Sequence, residues 1–281
     1  MRDFETIRRS ILRRSHIFDG KSSWPFISGD TYRTMCPVRF DDLPDSQSIR
    51  KLDGYNGRVF VSAGLAGDFL ELVRVHSSVD LSGVVLLIHN GDTIPGFESF
   101  RVVHERFKHI YTVNWLGSLP NVSPLPIGLE NLSYMRNGVP RDFRHQHRFP
   151  RNIPLLVSFS DHTNPEERKA ARYEAKAIKG AVFVSPATTP REYRALVSRS
   201  KFVLSPPGNG PDCHRTWESI YLGAIPVVKE SDWPFNDLNL PVASVARWDQ
   251  LIQTVNTFDR FKTISISELN TLFLKEFLDA K

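Results

Sequence analysis

One pattern constrains the fold of this 281-residue chain more than any other: strand-like and helix-like stretches alternate through it twice. Short β-branched apolar runs end in polar or Gly/Pro loops, and stretches with apolar residues at helical spacing follow them. In the first half, strands are expected at 58–62, 84–89, 109–113 and 122–126. Helices are expected at 68–77, where Phe69, Leu72, Val73 and His76 share a face, and at 98–107. In the second half, strands are expected at 155–159, 181–184, 201–204, 225–229 and 242–245. The intervening helices fall at 165–179, 190–199, 214–222 and 248–257. Strands separated by helices predict parallel βαβ units and doubly wound sheets. At mid-chain, Pro140, Pro150 and Pro154 deny regular structure and mark a linker.

The expected class is therefore α/β, with two Rossmann-like halves, 1–145 and 146–265, facing each other across an active-site cleft. A last helix at 267–278, within 266–281, is expected to pack back across the interface, with Ser267 as N-cap and Glu268 in its first turn. Residues 1–50 are broken up by Pro, Gly, Asp and Ser, and only 5–17 reads as helical.

Composition excludes several classes. Apolar residues make up 41% and charged residues 24%, an ordinary globular balance. The longest apolar run, 83–88, is strand-sized, far below the roughly 18 residues of a membrane span, so no transmembrane segment is expected. The charged N-terminus has no apolar h-region, so a cytoplasmic protein is expected, in the host cytoplasm if the source is viral. Cys36 and Cys213 are too few to staple the chain or complete a four-ligand zinc site. The net charge of +5 suits an anionic ligand without demanding one. Basic residues concentrate at Arg8, Arg9, Arg13 and Arg14, and at Arg141, Arg144, His145, His147, Arg148 and Arg151. Nucleic-acid binding through these clusters is a distant alternative; it lacks a recognition motif, and a steep salt dependence would mark it.

Chemistry concentrates in Lys201-Phe-Val-Leu-Ser-Pro-Pro-Gly-Asn-Gly-Pro-Asp-Cys-His-Arg-Thr-Trp-Glu-Ser-Ile-Tyr-Leu-Gly-Ala-Ile-Pro-Val-Val228, a strand, loop, helix, turn and strand. Gly208 and Gly210, flanking Asn209, let a ligand approach the backbone, and the following helix N-terminus favours an anion. Asp212 is placed to cap that helix. His214 and Arg215 oppose the helix dipole, which binding an anion would explain. Glu218, three residues after Arg215, can accept from sugar or ribose hydroxyls. The simpler reading makes Arg215 and Glu218 a surface ion pair and the glycines a plain turn. The combination favours a ligand site at the carboxyl ends of the strands.

Pro207-Gly208, Arg215-Thr-Trp-Glu218 and Gly223-Ala-Ile-Pro-Val227 together resemble the C-terminal signature of the exostosin-like glycosyltransferases. Microbial and large-virus relatives of that family are also echoed by Pro124-Leu-Pro-Ile-Gly-Leu-Glu-Asn131, by Leu156-Val-Ser-Phe-Ser-Asp-His-Thr-Asn164 with Glu167-Arg168, and by His89-Asn-Gly-Asp92. The resemblance spans roughly residues 84–230. It implies a GT-B architecture and inverting transfer from a nucleotide-sugar co-substrate, a UDP-sugar such as UDP-xylose being the leading donor. An oligosaccharide or glycoprotein would be the acceptor. Carried over by motif, Glu218 holds the donor ribose; Arg215 and the Gly208–Gly210 backbone hold the diphosphate, and His214 shares that task. It implies no obligatory metal. The chain contains no Asp-x-Asp, the usual bridge from a divalent cation to diphosphate, so cations and a helix dipole are left to neutralise the leaving group.

Inverting transfer needs a base for the acceptor hydroxyl. Asp68 ranks first, after the small-residue stretch Ala63-Gly-Leu-Ala-Gly67, then Asp92 and His89 at the next strand end. Each has a plainer role: N-cap, turn residue, hydrogen-bonded strand terminus. Glu130, Asp30 and Arg33 are candidate acceptor contacts, or only ties for a linker and a capped turn. Thr163 and Ser185 are candidate donor contacts at strand ends, with Thr163 or Asn164 equally suited to capping the helix. Arg168 reads as a solvated helix residue able to reach a phosphate, and Trp115 as a core residue able to stack on a sugar. Cys213 and His214, adjacent in sequence, point apart and make no nucleophile–base pair. A retaining GT-B transferase, a sugar-nucleotide epimerase and a silent glycan-binding module stand as alternatives, separable by product configuration and acceptor dependence.

Overall fold

The computed structural model describes residues 22–143, 150–185, 188–259 and 264–278; the helix expected at 5–17, the Arg8–Arg14 cluster, Arg144, His145, His147 and Arg148 lie outside them. The β-branched runs form two five-stranded sheets, parallel throughout. The first contains β1 (Val38–Phe40), β2 (Gly57–Ser62), β3 (Val84–His89), β4 (His109–Val113) and β5 (Val122–Leu125), side by side in chain order. The second contains β6 (Ile153–Val157), β7 (Val182–Phe183), β8 (Ser200–Leu204), β9 (Ile225–Lys229) and β10 (Ala243–Val245), in the order β10-β9-β8-β6-β7. Parallel strands covered on both faces need continuous apolar runs, and Val-Val-Leu-Leu-Ile of β3 is such a run. Pro124, which cannot donate to a ladder, sits in edge strand β5.

The two sheets are wound differently. In the second, the chain steps from β6 out to β7, returns past β6 to β8 and continues to β9 and β10. That reversal makes it doubly wound, as expected. In the first, every step moves one strand in the same direction, so right-handed crossovers share one face. The expectation of double winding therefore fails for this half: alternation dictates parallel pairing but not the direction of each step.

The helices are α1 (Gly29–Thr34), α2 (Ser46–Arg50), α3 (Ala66–Val75), α4 (Phe97–Arg101), α5 (Pro165–Ala175), α6 (Pro190–Arg199), α7 (His214–Tyr221), α8 (Leu251–Thr257) and α9 (Ile266–Leu278). Start signals explain the sharpest match, α6: Thr189 and Glu192 form a capping box, with Pro190 in the first turn. The helix expected at 98–107 stops at Arg101, where β-branched Val102 and Val103 follow, and resumes only as a 3-10 turn at His104–Arg106. Ser265 rather than Ser267 caps α9, exchanging hydrogen bonds with Glu268 at 3.1 and 2.8 Å. Strand β1 and helices α1 and α2 were not expected; each is too short to show a period.

One hydrophobic core runs through both halves. Phe26, Phe60, Leu87 and Ile88 share it with Trp217, Tyr221, Trp233 and Phe235. A smaller core, including Leu155, Phe202, Trp248 and Leu251, lies within the second half. Trp217 of α7 packs on Trp233, Phe235 and Phe273 of α9, with ring centroids 5.4–5.8 Å apart. Tyr221, one turn later, accepts the Ile27 N–H at 2.9 Å. Gly223, in the left-handed region at φ 74°, ends this helix and turns the chain into β9. Among the described residues, no helix is long and apolar enough to cross a membrane.

Candidate functional site

The winding reversal between β6 and β8 opens a crevice at the carboxyl ends of the second sheet, where open α/β sheets bind ligands. A cavity of about 1180 Å³ lies there, walled by the segments after β6, β7 and β8 and, from the first half, by Asp92, Ile127, Arg136 and Asn137. Of the expected donor contacts it gathers Gly208, Asn209, Gly210, His214, Arg215 and Glu218. Thr163, Ser185 and Asp92 also face it.

The glycine loop has a local cause. A Cβ on Gly208 would lie 2.6 Å from Nη2 of Arg168, and one on Gly210 would lie 2.2 Å from Nδ2 of Asn114. Glycine lets the Arg168 and Asn114 side chains lie close against the loop, and a side chain at either position would have to push them aside. The Gly208 N–H donates to the Gly210 carbonyl at 2.9 Å, so the loop is closed on itself and that donor is not presented to an anion.

Asp212 does not supply the helix cap either. Cys213 is the N-cap of α7 and makes no side-chain capping bond. Asp212 is buried, accepts the Ile127 N–H at 2.8 Å and Trp217 Nε1–H at 2.9 Å, and thereby joins the halves. Burial pushes its carboxyl up to about 7. With no side-chain cap and no acid in its first turn, α7 keeps its positive end for the cavity.

Two arginines reinforce that end. Arg215 Nε donates to the Ser158 carbonyl at 2.7 Å, while its Nη1 is buried without a partner. Arg168, expected to be solvated, is only 7% exposed and spans two loops, donating to the Pro207 carbonyl at 2.9 Å and the Ser160 carbonyl at 2.6 Å. Both guanidinium groups lie by Phe159, 5.1 and 5.7 Å from its ring centroid. Among the described residues neither forms an ion pair. Burial, and then Arg215 beside it, holds Arg168 below the usual guanidinium range. A buried guanidinium and a half-buried one beside it, neither paired with a carboxylate among the described residues, match an anion. Arg172, the third guanidinium at Phe159, is already paired with Asp161 at 3.0 Å.

Glu218 is buried and accepts from the Tyr193 hydroxyl at 2.8 Å, so the surface ion pair with Arg215 does not form. Burial and the nearby Glu130 push its carboxyl up to about 7. His214 Nδ1 donates to the Gly128 carbonyl at 2.7 Å, which leaves Nε2 unprotonated in the neutral ring. Asp92, exposed at the rim, accepts from Asn209 Nδ2 at 2.9 Å. Asn114 stitches the same two loops, donating to the Asp92 carbonyl at 2.8 Å and accepting from the Asp212 N–H at 3.3 Å.

Several expected contacts lie elsewhere. Asp68 faces solvent in the first turn of α3 and takes no part in the cavity wall; the 3-10 turn Ala63–Leu65 carries the chain directly from β2 into that helix. His89 is buried and fully engaged, accepting the Asn90 N–H at 2.7 Å and meeting the Pro126 carbonyl at 3.1 Å. Burial lowers it to about 4, so the ring is neutral, and both of its nitrogens are already hydrogen-bonded. Asp30 is tucked beside Asn131, whose Oδ1 accepts its N–H at 3.0 Å, and burial raises its carboxyl to about 6. Arg33 is held by Asp41 at 2.9 Å. Glu130 stands behind the wall, accepting the Asn137 N–H at 3.1 Å. Asn164, not Thr163, caps α5. Trp115 is 4% exposed, stacked on Phe97 and edge-on to Phe100, and has no face for a sugar.

Sequence reasoning missed Tyr193 and Arg136 and undervalued Arg168. The i,i+4 spacing of Arg168 and Arg172 was a signal, but surface helices carry such pairs routinely. Among the described residues, no group of three or more His, Cys, Asp or Glu is placed to hold a metal ion. No protein-family model matches the chain, and no curated protein matches its sequence.

Proposed function

We propose that this protein is a glycosyltransferase of GT-B type that moves a sugar from a nucleoside-diphosphate donor, a UDP-sugar first among them, to a glycan hydroxyl. Transfer inverts the anomeric centre and uses no divalent metal. The observation that carries the reading is the buried, unpaired Nη1 of Arg215 beside Arg168, at the uncapped end of α7 in the switch-point cavity. The motif resemblance through Arg215, Glu218 and Gly223–Val227 supports the choice of a nucleotide sugar over other anions.

In this reading Arg215, Arg168 and the α7 N-terminus hold the diphosphate and stabilise it as it leaves. Glu218 accepts from the ribose hydroxyls. The acceptor oxygen attacks the anomeric carbon as the bond to the diphosphate oxygen breaks. Its proton passes to Asp92, the carboxylate that the first half contributes to the cavity wall. Asn209 fixes Asp92 for that role, which passes to it from Asp68 and His89.

Calorimetric titration with UDP, GDP and ADP, with and without EDTA, tests the site; selective binding that survives EDTA is expected. Binding to none of them sinks the nucleotide reading. Once a donor is found, Asp92→Asn is expected to lower turnover by about 10²-fold or more while nucleotide affinity stays nearly constant. Unchanged turnover would remove Asp92 as the base.

A further inference from the structure

Glu218 is a buried carboxyl group that forms no ion pair among the described residues, although the charges of Arg215 and Arg194 bear on it. It is 4% exposed. On α6, the Tyr193 hydroxyl donates to it, while Arg194 is spent on the Arg136 carbonyl at 3.1 Å, Asn137 Oδ1 at 2.9 Å and an ion pair with Asp142 at 2.7 Å. On α7 itself, Arg215 turns its Nε to the Ser158 carbonyl. From the first half comes a like charge, Glu130. Its Oε2 accepts the Asn137 N–H, and Arg194 clamps Asn137 against α6 one residue along from Tyr193. The Glu130 charge bears on both Tyr193 and Glu218. A carboxyl group taken from water and faced by another carboxylate keeps its proton.

A ribose diol presents two O–H donors, and an ionised carboxylate is the acceptor that takes both. We propose that a nucleoside diphosphate entering this cavity expels a proton from Glu218 to solvent, and that Glu130 is the positioning residue that holds the proton there until the ligand arrives. The proposal rests on the nucleotide reading above. With Glu218 raised to about 7, affinity falls as the pH drops below neutrality, approaching tenfold per pH unit. Asp212 is raised to a similar value, but Ile127 and Trp217 already donate to it within the protein.

The test is calorimetric titration of the full chain with UDP, GDP and ADP in buffers of different ionisation enthalpy, which counts protons released. At about pH 6 the wild type is expected to release close to one proton more than Glu218→Gln; ionisation of the ligand phosphate is common to both and cancels. Glu130→Gln is expected to release fewer protons than the wild type near neutrality and to move the affinity profile to lower pH. If Glu218→Gln binds too weakly to measure, Glu130→Gln against the wild type carries the comparison. Binding with equal proton release and the same pH profile in wild type and Glu130→Gln overturns the proposal and leaves the nucleotide site standing. Failure of the wild type to bind any of the three overturns both.

Discussion

The two sheets have the same number of strands and the same parallel pairing, yet the large cavity lies at the strand ends of the second. The second sheet reverses direction between β6 and β8, so the loops after those strands diverge and leave space between them. The first advances in one direction from β1 to β5, and its strand-end loops are filled with their own side chains: His89 bonded to Pro126, Asn131 bonded to Asn90 at 3.0 Å, and Asp30 tucked beside Asn131. Winding order therefore divides the labour. The second half supplies Arg168, Arg215 and the helix end, and the first supplies a wall carrying Asp92 and Arg136.

The comparison breaks first at α7, if the halves are separate folding units. Trp217 is fully buried, donates to Asp212 and belongs to the core that the halves share. Trp217→Ala is expected to cost about 3–5 kcal/mol and to lower both halves together, as a single transition in calorimetry. Two separated transitions, with the first sheet surviving the second, would show that the shared core does not couple them.

The anion-binding contrast is sharpened by a pair of substitutions. Arg215→Ala, in the second half, is expected to weaken nucleotide binding by about 1.5–3 kcal/mol, the range for charge-assisted hydrogen bonds. Asp68→Asn, on an exposed helix of the first half, is expected to leave binding and turnover unchanged. Equal affinity in Arg215→Ala and wild type would move the anion away from α7.

Parallel pairing and most element positions were legible because period and breakers are local properties of the chain. The strands at Val84–His89, His109–Val113 and Ile225–Lys229 and the helix at Pro190–Arg199 were read to the residue. The switch point was not legible: whether β8 lies beside β7 or returns to β6 is a tertiary choice with no local signature. For the same reason the motif around Arg215 could be found, while its neighbour Arg168 could not be told from a solvated helix residue. Asp68 lies away from the cavity wall and His89 is held by Pro126 and Asn90, because proximity to a strand end says nothing of what fills that end. In Asp212, a carboxylate before a helix reads as a cap, and a tryptophan one turn on and a main-chain N–H from the other half took it instead.

The smallest expected effect separates the halves by pH. His89, in the first half, is lowered from 6.5 to about 4 in the fold. Its contribution to stability is complete above about 6.5 and is lost as the pH falls towards 4, on the order of 1–2 kcal/mol by pH 5. Glu218 and Asp212, in the second half, are raised to about 7. Their contribution is complete below the ordinary carboxylate range and is lost as the pH climbs through 7. Asp30, in the first half, shares that sign but has lost its contribution just above its value of about 6. Between about pH 6.5 and 8 the second-half carboxyls therefore set the slope, and the melting temperature of the free protein is expected to fall as pH rises. Glu218→Gln, neutral at every pH, is expected to flatten that slope, while His89→Gln leaves it in place and acts only on the acid side, where it removes a contribution that rises with pH. An unchanged slope in Glu218→Gln would mean that the empty cavity already hydrates this carboxyl, and that its burial between α6 and α7 is not what sets its charge.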